Sequence, residues 1–159
     1  ALTRLILETR YGLDPEYRYS APDAETMLRA ADAALLIGDV GFNDTDAARS
    51  VLDLGTEWKE WTGFPFVYAL WIGRPGLLDT ALVDAVTQAK QWGEERLDEL
   101  ADRYAFRHWT TPERARHYLN DVMVFDLDAR YSRGLARFRE LVDENALQSG
   151  TLPSEKTSV

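Results

Sequence analysis

Four positions in this 159-residue sequence have the residue types and the setting to hold a small molecule: Gly38, Asp39, Phe66 and Tyr68. Gly38-Asp39 closes the apolar run Ala33-Ala-Leu-Leu-Ile37. In open α/β sheets ligands bind beyond the carboxyl ends of the strands, where a carboxylate can act on a bound molecule. The plainer alternative is that Asp39 caps the following turn while Gly38 permits a tight bend, the ordinary work of both residue types. Phe66 and Tyr68 belong to an aromatic stretch that also holds Trp58, Trp61, Phe64 and Trp71. Such a stretch can line a pocket for a ring-shaped ligand, but aromatics more often fill a core. In a strand, Phe66, Tyr68 and Leu70 share one face and Val67, Ala69 and Trp71 the other, so only one set can border a cleft. The two histidines, His108 and His117, read as surface or partly packed residues and not as metal ligands. No GxSxG, P-loop, GxGxxG, HExxH or EF-hand pattern occurs.

The elements that must position these residues alternate in period. Leu2, Leu5 and Ile6 stripe an opening helix over residues 1–10, stopped at Tyr11-Gly12. Short strands are expected over 16–20, 33–37 and 51–54, and a central strand over 64–72. Between them, Asp23 caps a helix over 24–31, and 56–62 forms a helical turn. Leu82, Val86, Ala89, Gly93, Leu97, Leu100 and Tyr104 follow a 3.6-residue period, which predicts one helix from about 79 to 104. Thr111-Pro112 starts another helix to about residue 120, a brief strand covers 122–126, and Tyr131, Leu135, Phe138 and Val142 stripe a final helix. Alternating helices and strands imply an α/β fold with mainly parallel strands. The second half nevertheless has more helices than its own strands can cover. The first helix also lacks an N-cap. Together these lead to the expectation that residues are absent upstream.

Lys and Arg total 18 against 27 Asp and Glu, a formal net charge of −9. Nucleic-acid binders draw most of their affinity from neutralising phosphates, so this balance argues against one, and equally against an anionic membrane surface. No apolar run reaches the length of a membrane span and no signal peptide is visible. Cysteine is absent, which rules out disulfides and thiolate zinc sites. The expectation is a cytoplasmic soluble protein. A folded monomer of 18.1 kDa should expose roughly 8,000 Å².

The stretch Leu52-Asp-Leu-Gly-Thr-Glu-Trp-Lys-Glu-Trp-Thr-Gly-Phe-Pro-Phe-Val-Tyr-Ala-Leu-Trp71, with Ala34-Leu-Leu-Ile-Gly-Asp39 upstream, resembles the chorismate dehydratase family of the futalosine route to menaquinone. Tyr11-Gly12, the Pro112 helix and Gly134-Leu135-x-x-Phe138 fit the same pattern, so the resemblance covers most of residues 1–145. It implies a type II periplasmic-binding-protein-like two-lobed α/β fold, present here in part. Residues 1–64 would form the second lobe. Residues 65–148 would supply a crossover strand and the helical remainder of the first, and 149–159 a flexible tail. The sequence departs from the family in lacking its N-terminal segment.

The implied reaction eliminates water from chorismate to give 3-[(1-carboxyvinyl)oxy]benzoate. A ring hydroxyl and a ring proton are lost and the ring aromatises, with no metal or organic cofactor. The substrate is a dianion, to be held by helix N-termini and backbone N–H groups. Gly38 and Asp39 would border it, Asp39 accepting a hydrogen bond from a ring hydroxyl, with Phe66 and Tyr68 as further cleft residues. No general acid or base is assigned. Two other readings stay open: a non-catalytic two-lobed binder of small anions, and the related 1,4-dihydroxy-6-naphthoate synthase. The aromatic content is compatible with a homodimer.

Overall fold

The computed structural model describes residues 1–38, 40, 41, 50–74, 76, 77, 79–108 and 110–148. Every regular element among them is a helix. This corrects the expected α/β two-lobed architecture: 16–20, 33–37, 51–53, 64–72 and 123–126 run without regular structure, and residues 54 and 122 belong to helices instead. The physical reason lies in what a strand needs. A β-favouring run becomes a strand only when a second backbone lies close enough to take its N–H and C=O groups. None of these runs pairs with another among the described residues. The expected tail over 149–159 lies outside them.

The chain divides into two compact units. The first gathers Ala1–Ala21, Asp46–Ala69 and Leu127–Val159. Its opening helix, α1, runs Leu2–Arg4 and continues over Leu5–Arg10 in wider turns that close from residue i+5 to residue i, as in Tyr11 N–H to the Ile6 carbonyl at 3.1 Å. Helix α2 spans Leu54–Thr62. Asp53 caps it by accepting from the Thr56 N–H at 2.7 Å, and Gly63 ends it in the left-handed region (φ +76°), donating to the Lys59 carbonyl at 2.8 Å. Helix α3 spans Ala129–Gln148, and Asp128 accepts from the N–H groups of Arg130 and Tyr131. Leu5, Trp58 and Leu141 form the core where the three helices meet. Leu2, Trp61, Phe66, Phe138 and Val142 pack around it. Gly134 of α3 lies so close to the Pro65 carbonyl that a methyl group there would enter its van der Waals shell.

The second unit gathers Pro22–Thr45 and Leu70–Asp126. Helix α4 spans Ala24–Ala30, capped as expected by Asp23, which accepts from the Thr26 N–H at 2.8 Å. The single helix expected over 79–104 is two: α5, Thr80–Glu94, and α6, Leu97–His108. The break follows Gly93, a poor helix residue. Arg96 stabilises it, because its N–H closes a tight turn on the Gly93 carbonyl (2.9 Å) and its guanidinium takes the Trp92 carbonyl (3.0 Å). That group also lies 4.6 Å from the centre of the Trp92 ring. Helix α7, Pro112–His117, starts at the expected Thr111 cap and Pro112. It continues over Tyr118–Val122 in wide turns. Helices α6 and α7 pack through Ala101, Ala105 and Ala115, whose small side chains permit close approach. An Arg116–Asp102 ion pair of 2.6 Å flanks them.

Candidate functional site

In the second unit, Gly38 stands in a turn with φ +74°. A Cβ built there would meet nothing within 4 Å, so glycine serves the backbone conformation and not a close approach. Its neighbour Asp39 lies outside the described residues.

In the first unit the structure does bring the two aromatic candidates together. Phe66 and Tyr68 meet edge to face with ring centres 5.0 Å apart. Phe66 is half-buried, and its other neighbours are Trp58 at 5.6 Å and Phe138 at 5.2 Å. It is therefore both a wall of the core and a support for Tyr68. Tyr68 is the outward member, 71% exposed. Its hydroxyl lies against Gly55, in the first turn of α2, where any side chain would displace it. Asp53 already occupies the cap of that turn. What the arrangement offers a ligand is thus an exposed aromatic ring whose hydroxyl is set into the first turn of α2. Such a ring can contact a flat ligand.

Trp58 is fully buried, and its indole N–H finds no acceptor among the described residues. Three aromatic edges surround it: Trp61, Phe66 and Phe138.

Sequence reading missed a polar cluster that ties α1 to α2. Glu57 is buried and forms a 2.7 Å ion pair with Arg10. Arg10 also donates to the Glu57 backbone carbonyl and reaches Glu60 at 3.4 Å, while the Tyr11 hydroxyl donates to the Glu57 carboxylate. That hydrogen bond, followed by burial, raises the Tyr11 pKa above its ordinary value. A carboxylate so fully engaged is a fastener and not a free base. Tyr11 was legible only as part of a helix stop, because its partner lies 46 residues away.

His117 Nδ1–H donates to the Asp121 carboxylate at 2.8 Å, one turn on, a pair that spacing alone did not single out. The His108 side chain lies outside the described part. Among the described residues no three His, Asp or Glu side chains gather as metal ligands, and no helix is long and apolar enough to cross a membrane.

The profile of a family described as menaquinone biosynthesis matches residues 1–144. A curated chorismate dehydratase from Thermus thermophilus is 34% identical over 158 residues, which takes in 88% of this chain and 57% of that protein. The chain thus spans little more than half the length of this relative.

Proposed function

This chain belongs to the menaquinone biosynthesis family, and on that premise we propose that the protein acts as a chorismate dehydratase. The supporting observation is the 34% identity to the Thermus enzyme over 88% of this chain. The proposed reaction removes one water from chorismate. A ring hydroxyl departs with its bonding pair, a ring proton is lost to a base, and the ring becomes aromatic. The driving force lies in the substrate, so the protein's task is to orient it, exclude water and assist departure of the hydroxyl. This makes the protein a carbon–oxygen lyase. With no cysteine to call for an oxidising compartment, the proposal keeps it in the cytoplasm.

Within this reading Gly38 and Asp39 border the substrate, and Asp39 accepts a hydrogen bond from a ring hydroxyl. Tyr68 is the better placed of the two aromatic candidates, because its ring is exposed while Phe66 is engaged in the core. The test incubates the protein with chorismate and follows the mass of the product. A product lighter by one water supports the proposal. Chorismate recovered unchanged rejects it in favour of a binding protein or of the related naphthoate synthase. In an active protein, Asp39→Ala that left both turnover and affinity intact would remove Asp39 from the site.

A further inference from the structure

Gly55 is the second residue of α2, and its backbone is ordinary helix, unlike Gly12, Gly38, Gly63 and Gly76, whose φ is positive. Glycine weakens a helix relative to alanine, so the backbone gives no reason for it. The space does. A Cβ here would overlap the Tyr68 hydroxyl oxygen and lie 3.2 Å from Tyr68 Cζ and 3.4 Å from Asp53 Oδ1. The missing side chain is therefore a notch, walled by the Asp53 cap and filled by the end of Tyr68.

The same helix holds Tyr68 a second time. Trp58, one turn on from Gly55, meets Phe66 edge to face at 5.6 Å, and Phe66 meets Tyr68 in the same way at 5.0 Å. Phe138 of α3 closes on Phe66 from another side at 5.2 Å. Tyr68 is thus 71% exposed yet fastened at its ring edge and at its hydroxyl. An exposed side chain ordinarily moves among rotamers within nanoseconds, and ordering it on binding weakens affinity. Here that ordering is done before any ligand arrives.

We propose that Gly55 is a positioning residue: its notch seats the Tyr68 hydroxyl and so sets the angle at which the Tyr68 ring meets the ring of the substrate. The inference deepens the dehydratase reading and rests on it for the identity of the ligand. It also differs in kind from the close approach at Gly134, where backbone fills the space. At Gly55 the obstructing atom ends a side chain that can swing aside, so an added methyl moves the ring and leaves the fold in place.

The test has one arm without substrate and one with it. In the whole chain with isotope-labelled tyrosine rings, NMR should show a Tyr68 ring to Gly55 Hα contact, assigned by its loss in Tyr68→Phe. Gly55→Ala should shift the Tyr68 ring signals, with a urea midpoint at or above the parent's. With chorismate, Gly55→Ala should raise KM about three- to tenfold, the worth of one pre-ordered side chain, with kcat within about twofold. In the Tyr68→Phe background, where the hydroxyl is gone, Gly55→Ala should change KM by less than about twofold. A parent protein without the ring contact overturns the inference whatever its activity, and so does a lowered urea midpoint, which would make Gly55 a packing residue. A ring contact with chorismate left unchanged by the parent fails the dehydratase reading and takes the substrate role of Gly55 with it. An active parent whose KM ignores Gly55→Ala, or responds equally in the Tyr68→Phe background, overturns the inference alone.

Discussion

Replacing Gly134 by alanine should destabilise the protein, although helix propensity taken alone says the opposite. Gly134 sits in the interior of α3, where exchanging glycine for alanine is worth up to about 1 kcal/mol in favour of the folded state. The structure supplies the opposing term. A Cβ at this position would enter the shell of the Pro65 carbonyl oxygen and lie 3.4 Å from Phe64 Cβ. The obstructing atom is backbone, so it cannot swing aside as a side-chain end can, and overpacking of this kind costs about 1–3 kcal/mol. With the full propensity gain set against it, the net expectation is a loss of up to about 2 kcal/mol. Gly93→Ala provides the control. Its new methyl would meet only Leu100 Cδ1 at 3.9 Å, an ordinary contact, so propensity acts unopposed. Near the end of α5 the gain should be about 0.5 kcal/mol. Urea unfolding followed by far-UV circular dichroism measures both. If Gly134→Ala were stabilising, or if both substitutions shifted stability in the same direction, the close approach of α3 to residues 64–65 would be wrong.

Other expectations follow from the same contacts. Trp58→Ala should cost about 3–5 kcal/mol in denaturant unfolding, as a fully buried aromatic does. Trp58→Phe should cost far less, near 1 kcal/mol, because it removes an indole N–H whose unmet hydrogen bond costs about 1–3 kcal/mol. Arg10→Met should destabilise by about 1.5–3 kcal/mol by stranding the buried Glu57 carboxylate, and adding Glu57→Gln should restore part of the loss; a double-mutant cycle reads the coupling. The hydrogen bond from the Tyr131 N–H holds the Asp128 carboxyl below its ordinary pKa, with Arg130 and Arg133 acting in the same direction. Its stabilising contribution is therefore complete above the ordinary carboxylate range and lost as pH falls through the lowered folded value. Unfolding curves from pH 6 down to about pH 2 should show a steeper acid loss in the parent than in Asp128→Asn.

Helix starts were legible because each depends on one or two neighbouring residues. Asp23 and Thr111-Pro112 cap the helices expected of them, since the hydrogen bond in question spans three residues. Helix faces were legible for the same reason: Leu2 and Leu5, and Phe138 and Val142, fall on the core side as their period requires. The strands failed because strand formation is not local. Residues 64–72 are as apolar and aromatic as a central strand, yet without a paired backbone the run stays irregular and Trp71 and Ile72 lie exposed. The α5–α6 break was hidden because the apolar period runs straight through it, past Gly93 and the Arg96 contacts that favour the interruption. Of the candidate site, Phe66 and Tyr68 do meet, two positions apart, but not on the strand face expected of them, since 64–72 forms no strand. The Arg10–Glu57 fastener was hidden, because no local pattern links residues 47 apart.

The caps also change how an acidic protein could hold a dianion. Helix N-termini are the usual anion sites in a chain of negative net charge, because their free N–H groups supply positive potential without a basic side chain. Here the starts of α2, α3, α4, α5 and α7 are each filled by a side chain of the chain itself: Asp53, Asp128, Asp23, Asp79 and Thr111. Four of the five bring a carboxylate, which cancels the partial positive charge at that end and satisfies the donors a ligand would need. At any of these five starts a carboxylate of chorismate would have to displace the cap, at about 1 kcal/mol, and at four of them would then face the displaced Asp charge nearby. Side-chain surfaces are the better source. The exposed Tyr68 ring is one such surface, which a flat ligand can contact without undoing a helix. If the proposed activity holds, affinity for the dianion should therefore respond more to Tyr68→Ala, which removes the ring, than to Asp53→Asn. The latter keeps a capping oxygen while removing the charge, and a larger effect from Asp53→Asn would return the anion to the helix end.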